Sequence, residues 1–425
     1  MIQRYLSNFL SFHDDVRRYL AGAFLFNVGS SINDLLYNLY LHSLGYSDSF
    51  IGGMISLHSL GVLVLCVPGA FLARKHSHRS MLLASVSLVA LFQALRSIFP
   101  NEFLIPFFNF ALGLAVSAAR VIPTVLLMRL SRSEERAFVF GFNAALSMFG
   151  IMLGNYLGGH LPSALVGGAS LFDVSLSLDD AYQASLQAGS LVIALSLFSY
   201  AKLSQSEGLV SASASLWAEF LAQIPSRERL ERIFSVITPH VIVSIGAGLV
   251  IPFIPLYLHQ TFGASSAEIG GTMSLVQSAV AVGYLLSPLV SRRFGVLKSI
   301  IIVQLASLPF MAIMGFSSSL LVVTIAFLFR NVLMNMSGPF VEQYHMENVR
   351  DEEREFAASL DIFFWNLSWA ITPAIAGAVI ERFGYKPLFA ATIGFYALSS
   401  FVYLATLKEK KRDEARSVKI EEGVA

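Results

Sequence analysis

The sequence predicts an all-α integral membrane protein in which twelve transmembrane helices form two pseudo-symmetric six-helix bundles. Three observations support this prediction. The 425 residues are 55% hydrophobic and only 13% charged, whereas soluble domains contain about 25% charged residues. Apolar segments long enough to cross a bilayer, which takes about 20 residues, occur twelve times along the chain. Short sequences of the first half also recur in the second half.

The connections between the apolar segments are short, with two exceptions. Residues 162–180 form a connection that contains Asp173, Asp179 and Asp180, and residues 204–233 separate two blocks of six segments. The predicted spans are roughly 19–43, 50–72, 80–99, 103–130, 137–161, 181–203, 234–259, 267–290, 298–316, 318–345, 356–381 and 387–407.

The basic residues predict that both termini are cytoplasmic. The termini and the connections on their side of the membrane contain most of the 29 lysines and arginines, whereas the opposite side contains only Arg382 and Lys386. Basic loops favour the cytoplasmic side. No cleaved signal peptide is recognised at the N-terminus. Short loops and the lack of an organelle signal indicate the plasma membrane of a bacterium or archaeon.

These patterns divide the chain into four regions. Residues 1–203 and 234–407 are the predicted bundles, 204–233 a cytoplasmic linker and 408–425 a charged cytoplasmic tail. One helical face of the linker is apolar, which predicts a short helix on the membrane surface that tethers the two halves. That face consists of Leu216, Trp217, Phe220, Leu221 and Ile224.

The two halves are related by a parallel repeat. Leu-Tyr-Leu-His occurs at 39–42 and 256–259, Ile-Gly-Gly at 51–53 and 269–271, and Glu-Glu-Arg at 134–136 and 352–354. The offset is 217 or 218 residues each time, and both members of a pair have the same position in the topology. Two six-helix halves in parallel repeat with a cytoplasmic linker resemble the major facilitator superfamily.

A loop motif adds to this resemblance. The loop between spans two and three resembles the family's glycine-aspartate-arginine motif, in which Gly69 and Arg74 match while Ala73 and His76 replace the aspartate and the second glycine. In the family this arginine often contacts an acid in span eleven. The resemblance therefore implies that Arg74 and Asp361 belong to a conformational latch.

Span five resembles the family's antiporter motif. Its glycines fall in the motif's positions, and only the proline is replaced, by Asn155. Glycines at fourfold spacing let a neighbouring helix approach closely, so we expect Gly150, Gly154 and Gly158 to govern helix movement. The complete set is Gly141, Gly150, Gly154, Gly158 and Gly159.

Span one contains a polar stripe that includes a carboxylate. Asn27, Ser31, Asp34 and Asn38 lie on one helical face, which indicates a water-filled cavity. A carboxylate in such a low-dielectric setting is a candidate for reversible protonation, because intramembrane ionisable residues are commonly functional. The alternative is a structural hydrogen-bonded aspartate. The resemblance also implies that spans one, four, seven and ten line the cavity.

Span four contains a second stripe, with Asn109 and Arg120 as its candidate substrate contacts. Arg120 could bind an anionic group or pair with Asp34, although their depths differ by about 9 Å. His58 in span two titrates near neutral pH and is a further candidate for proton transfer. A hydrogen-bonded structural histidine is the alternative.

The second half offers further candidate substrate contacts. Arg330 is a second candidate for anion binding, and a Pro252-x-x-Pro255 break in span seven can expose backbone carbonyls. The candidate substrate-binding residues of the whole chain are Asn27, Asn38, Asn109, Arg120, Gln277, Arg330, Asn331, Asn335 and Trp365.

These features predict a secondary transporter rather than an enzyme. No nucleotide, metal or dinucleotide motif is recognised, so we expect no cofactor or metal and a proton gradient as the energy source. The leading hypothesis is proton-coupled export of a small amphiphilic organic molecule by a monomer that does not bind nucleic acid. One alternative is uptake or exchange of an organic anion bound by Arg120 and Arg330. Another is a receptor or lipid-handling protein on the same scaffold.

Overall fold

A computed structural model describes residues 12–75, 77–131, 135–171, 173, 175–204 and 227–424. All regular structure in these ranges is helical. Ten helices of the described chain are long and apolar enough to cross a membrane. The prediction of twelve spans with cytoplasmic termini stays a prediction.

Six helices form the N-terminal half of the chain. The connection predicted for residues 162–180 is shorter than expected, because the small and apolar residues after Pro162 continue the fifth helix to Ser170. A single proline and a glycine pair do not end this helix. The six helices are α1 (Asp14–Ser43), α2 (Asp48–Lys75), α3 (His78–Ile98), α4 (Leu104–Leu130), α5 (Arg136–Ser170) and α6 (Leu178–Tyr200).

The C-terminal half begins with a broken helix. The proline-containing segment Ile251–Phe253 is a 3₁₀ turn between α7 and α8, at the predicted break. The helices are α7 (Arg227–Val250), α8 (Ile254–Phe262), α9 (Ser266–Phe294), α10 (Val296–Phe316), α11 (Leu320–Asn348), α12 (Arg354–Phe383) and α13 (Lys386–Val424).

Two helices extend into the segments predicted as the linker and the tail. Helix α7 begins at Arg227, inside the segment predicted as a linker, and α13 continues past residue 407 into the predicted tail. The predicted surface helix, from Leu216 to Ile224, lies outside the described residues.

The described helices form two compact units that cut across the sequence halves. The first unit contains α1 to α6 together with Pro252–Ser278 and Trp369–Glu381. The second contains α7 with Ile251, residues Ala279–Ser368 and the chain from Arg382. The domain boundaries predicted from the sequence stay a prediction.

Each unit has its own apolar core. In the first unit, buried residues of α1, α3 and α4 pack together, such as Leu20, Val89 and Leu126. In the second, α7, α10 and α11 contribute Ile237, Ile300 and Phe340. Because lipid is as apolar as these side chains, their close van der Waals packing, rather than removal from water, stabilises the units.

Glycines bring helices of the first unit into backbone contact. A Cβ atom at Gly154 would lie 2.4 Å from the carbonyl oxygen of Val28, and one at Gly113 only 2.0 Å from that of His58. Any larger residue would therefore separate α5 from α1, or α4 from α2. The close approach positions the polar faces of α1 and α4 around shared space.

Candidate functional site

The first unit contains an open cavity of about 490 Å³ with both polar and apolar lining. Its lining combines residues of the polar stripe of α1 with Arg120 of α4 and His58 of α2. Aromatic side chains from α1 and α6, including Tyr19, Phe26 and Tyr200, supply an apolar wall. Volume and lining are typical of a site for a small organic molecule.

Asp34 is exposed to this cavity although its neighbours in α1 are buried. Asn33 is 0% and Leu35 is 3% exposed, whereas the Asp34 carboxylate faces the open space. No hydrogen bond or ion pair to another described residue is present at this carboxylate. It lies within electrostatic reach of Arg96 and Arg120, and Arg120 is also exposed in the cavity.

A second cavity of about 220 Å³ adjoins the first. Asp34 and His58 line both cavities, so this acid and this histidine lie where the two spaces meet. Pro252 and Trp369, which come from the second half of the sequence, complete its lining within the first unit. The half-buried His58 is thus one of the ionisable groups that share a cavity with Asp34.

Arg96 is the main site residue that the sequence analysis did not select. Its guanidinium carbon lies 3.6 Å from the centroid of the Tyr37 ring, and it donates a hydrogen bond to Asn109 Oδ1 over 3.2 Å. Asn109 Nδ2 in turn donates to the Tyr37 hydroxyl over 3.0 Å. Arg96 lies within a predicted span, and that depth was the signal in the sequence.

Pro252, at the predicted helix break, contacts the polar stripe of α1. Asn38 Nδ2 donates a hydrogen bond to the carbonyl oxygen of Pro252 over 3.1 Å. Asn38 and Asn109 both line the second cavity. Asn27 lines the first cavity and bonds Ser147 on α5 over 3.3 Å.

Three glycines of α5, Gly150, Gly154 and Gly158, lie against α1 at different distances. Built Cβ atoms at Gly150 and Gly158 would lie 3.0 and 3.1 Å from α1 atoms, which is less restrictive than the contact at Gly154. Gly141 has no atom within 4 Å of a built Cβ. The interface depends most on the middle of the glycine series.

The candidates on α11 form a buried cluster in the second unit. Arg330 is 3% exposed, donates to the hydroxyl of Tyr396 and to Asn331 Oδ1 over 3.2 Å. Asn335 Nδ2 donates to the backbone oxygen of Asn331 over 2.9 Å. Arg330 therefore has protein partners and lines neither of the two cavities, and its substrate role stays a prediction.

The other candidates have separate positions. Trp365 stacks on His240 with ring centroids 4.8 Å apart. Asp361 Oδ1 accepts a hydrogen bond from Nδ1 of the same histidine. Gln277 is half-buried and lines neither cavity. The side chain of Arg74 lies outside the described part of the structure, so the predicted latch to Asp361 stays a prediction.

Long apolar helices, a broken helix and a cavity lined by ionisable groups are features of multi-pass membrane transporters. The family model of the Major Facilitator Superfamily matches residues 19–172 and 240–424. The chain belongs to this superfamily and is a transporter rather than an enzyme. Its subfamily is unresolved.

Solved structures of transporters share the fold at low sequence identity. The nucleoside transporter NupG is 12% identical, with a TM-score of 0.71 over 93% of this chain and 100% of that one. A D-xylose–proton symporter is 15% identical, with a TM-score of 0.70 over 92% and 96%. A bacterial homologue of the lysosomal transporter Spinster is 13% identical, with a TM-score of 0.70 over 92% and 95%. No curated protein matches the sequence.

Proposed function

We propose that the protein exports a small amphiphilic organic molecule in exchange for protons, with Asp34 as the proton-binding residue. The observation that carries the proposal is the exposure of this carboxylate to the 490 Å³ cavity. An ionisable group in such a place has solvent access without a fixed partner. It can therefore bind and release a proton in each cycle.

The charges around Asp34 support a switching role. Arg96 and Arg120 are both within electrostatic reach of the carboxylate. Arg96 is 5% exposed and held by Tyr37 and Asn109, so it supplies a fixed positive charge. Arg120 is exposed and can turn toward either the carboxylate or a substrate, because its side chain is long and flexible.

This arrangement supports a simple exchange cycle. A substrate in the cavity displaces the proton of Asp34, and the deprotonated carboxylate is then stabilised by Arg120. After the substrate leaves on the outer side, a proton from that side neutralises Asp34 and releases Arg120. Proton entry thereby drives substrate exit. The cavity opens alternately to the two sides of the membrane.

The lining of the larger cavity supports an amphiphilic substrate. Tyr19, Phe26 and Tyr200 offer aromatic surface, whereas Asn27 and Asn143 offer polar amide groups. Pockets of about 300–1,000 Å³ bury most of a small organic molecule. A molecule with an apolar body and one polar end would contact both kinds of lining.

The experiment uses energised everted membrane vesicles with a pH-reporting dye. Addition of lipophilic cations or organic anions should cause proton release from vesicles that contain the wild-type protein. The Asp34→Asn variant should reduce this response at least 100-fold, because the amide cannot carry the proton. A matched control is Glu102→Gln, which removes an exposed carboxylate in the turn before α4.

Three results would contradict the proposal. Proton release that persists in Asp34→Asn would assign the coupling to another group. Equal loss in Glu102→Gln would indicate a general effect of removing a carboxylate. Substrate flux without proton movement in both the wild type and Asp34→Asn would favour exchange instead of proton coupling.

Uptake or exchange of an organic anion is the second candidate function. The exposure of Arg120 in the cavity favours it, since a guanidinium group can bind a carboxylate through two parallel hydrogen bonds. In this case Arg120→Gln would abolish anion flux, whereas Asp34→Asn would retain it. We further propose that the protein works as a monomer in the plasma membrane of a bacterium or archaeon.

A further inference from the structure

A cluster of three metal-binding side chains lies in the second unit and takes no part in the proposed proton exchange. His240 of α7, His345 of α11 and Asp361 of α12 each offer one ligand atom, and these atoms all lie within 4.8 Å of one another. His240 Nδ1 is 2.8 Å from Asp361 Oδ1, and His345 Nδ1 is 3.9 Å from Asp361 Oδ2.

The cluster leaves buried polar atoms without hydrogen-bond partners. His345 is 4% exposed, and neither its Nε2 atom nor the hydroxyl of the fully buried Tyr403 has a hydrogen-bond partner among the described residues. Tyr403 lies within electrostatic reach of Asp361. An unsatisfied buried polar group costs roughly 1–3 kcal/mol, so this group of residues is incompletely satisfied as it stands.

Neighbouring contacts hold the cluster in place. Trp365, one helical turn after Asp361, stacks on the His240 ring with an interplanar angle of 29°. One turn further along α7, Ser244 Oγ donates to Ser368 Oγ of α12 over 2.8 Å. The histidine ring is therefore fixed with Nδ1 toward the carboxylate.

The donor set selects a class of ion. Two imidazoles and one carboxylate suit Zn²⁺ and other divalent first-row transition metals, whereas Mg²⁺ and Ca²⁺ prefer oxygen ligands. Zinc bonds of about 2.0–2.2 Å place tetrahedral ligand atoms about 3.3 Å apart. His240 Nδ1 is closer than this to the Asp361 carboxylate, at 2.8 Å, and His345 Nδ1 is farther from it, at 3.9 Å. Side-chain rotation would therefore be needed to bring the three ligands onto one ion.

We propose that His240, His345 and Asp361 form a binding site for a divalent transition-metal ion, with a fourth position left open. His240 and Asp361 are 22% and 17% exposed, which leaves a route for the ion and for a water or substrate ligand. The site shares no residue with the two cavities of the first unit. Its existence is therefore independent of the proposed proton exchange.

The test is titration of the purified full-length protein with ZnCl₂ in detergent micelles, by calorimetry and without a polyhistidine tag. The wild type should bind one Zn²⁺ per chain. His345→Gln and Asp361→Asn should each weaken binding at least tenfold, because each removes one of three ligands. His160→Gln is the control, since this histidine lies on α5 and bonds the backbone of Tyr156.

Two further measurements separate ligand loss from misfolding. Zn²⁺ should raise the unfolding temperature of the wild type and of His160→Gln but not of the two ligand variants, whose metal-free unfolding temperatures are compared first. Co²⁺ bound to the wild type should give the intense visible bands of a tetrahedral site. This spectrum needs no variant to fold.

Several outcomes would overturn the metal site. They are the absence of stoichiometric Zn²⁺ binding, binding that is unchanged in both ligand variants, and a Co²⁺ spectrum of a fully hydrated octahedral ion. Variants that alter the pH profile of transport while the wild type binds no Zn²⁺ would identify a proton-sharing cluster instead. None of these results depends on whether Asp34 carries the transported proton.

Discussion

Each of the two units contains a buried arginine against a tyrosine ring. In the first unit, Arg96 is 5% exposed and its guanidinium carbon lies 3.6 Å from the centroid of Tyr37. In the second, Arg330 is 3% exposed and lies 5.5 Å from the centroid of Tyr396. Each arginine also donates to the side-chain oxygen of an asparagine. In both units, a tyrosine ring and an asparagine oxygen thus compensate for the cost of burying the arginine's charge.

The surroundings of the two arginines differ. Arg96 lies within electrostatic reach of Asp34 and lines the smaller cavity. Asp34 lines both this cavity and the larger one. Arg330 and Tyr396 line neither cavity. Burial of an arginine in a membrane helix therefore does not by itself indicate a transport site. An adjacent acid that is open to a cavity is the feature that distinguishes the first unit.

The largest expected effect comes from comparing two single variants, each of which neutralises one of the two arginines. Arg96→Gln should lower transport at least tenfold and shift its pH profile upward by about one pH unit, because loss of a nearby positive charge favours the protonated carboxyl group of Asp34. Arg330→Gln should leave the profile in place. The measurement is the dye response of everted vesicles from about pH 5.5 to about pH 9.

Protein amounts in the vesicles must be matched by immunoblot, since either variant can lower expression. Equal pH shifts in Arg96→Gln and Arg330→Gln would contradict the view that only the arginine of the first unit acts on the coupling acid. An unshifted Arg96→Gln profile would show that the fixed charge does not act on the coupling acid.

The next effect concerns the helix packing that shapes the larger cavity. Gly154→Ala should destabilise the protein by about 1–3 kcal/mol, because the new methyl group would meet the carbonyl oxygen of Val28 at 2.4 Å. Gly141→Ala places its methyl group in open space and is the matched control. Thermal unfolding in detergent measures both. A control as unstable as Gly154→Ala would refute the assignment to close helix contact.

The smallest effect compares the hydroxyl groups of the two tyrosines. Tyr396→Phe removes an acceptor from the charged Arg330 and should cost about 1.5–3 kcal/mol. Tyr37→Phe removes an acceptor from the neutral Asn109, which keeps a bond to the Ile105 oxygen, and should cost about 0.5–1.5 kcal/mol. Unfolding temperatures of both variants, relative to wild type, test the order. The reverse order would mean that Arg330 does not depend on Tyr396.

Much of the fold follows from patterns that are local in the sequence. Apolar runs and the 217- or 218-residue repeat predicted the long helices and the family. The spacing of Asn27, Asp34 and Asn38 predicted a shared polar face, since helix periodicity alone places such residues together. The proline pair at 252 and 255 predicted the break in α7. The sequence analysis placed the end of span five at residue 161, whereas α5 continues through Pro162 to Ser170.

The sequence by itself determined which ionisable groups lie at membrane depth and which helices contain them. Only the tertiary structure decided that Asp34 is open to a cavity, that Arg330 is enclosed, and that Arg96 joins Tyr37 and Asn109. It also brought His240 and His345 to the same carboxylate. These groups are far apart along the chain, and their contacts depend on helix rotation and side-chain packing, which have no periodic signature in the sequence.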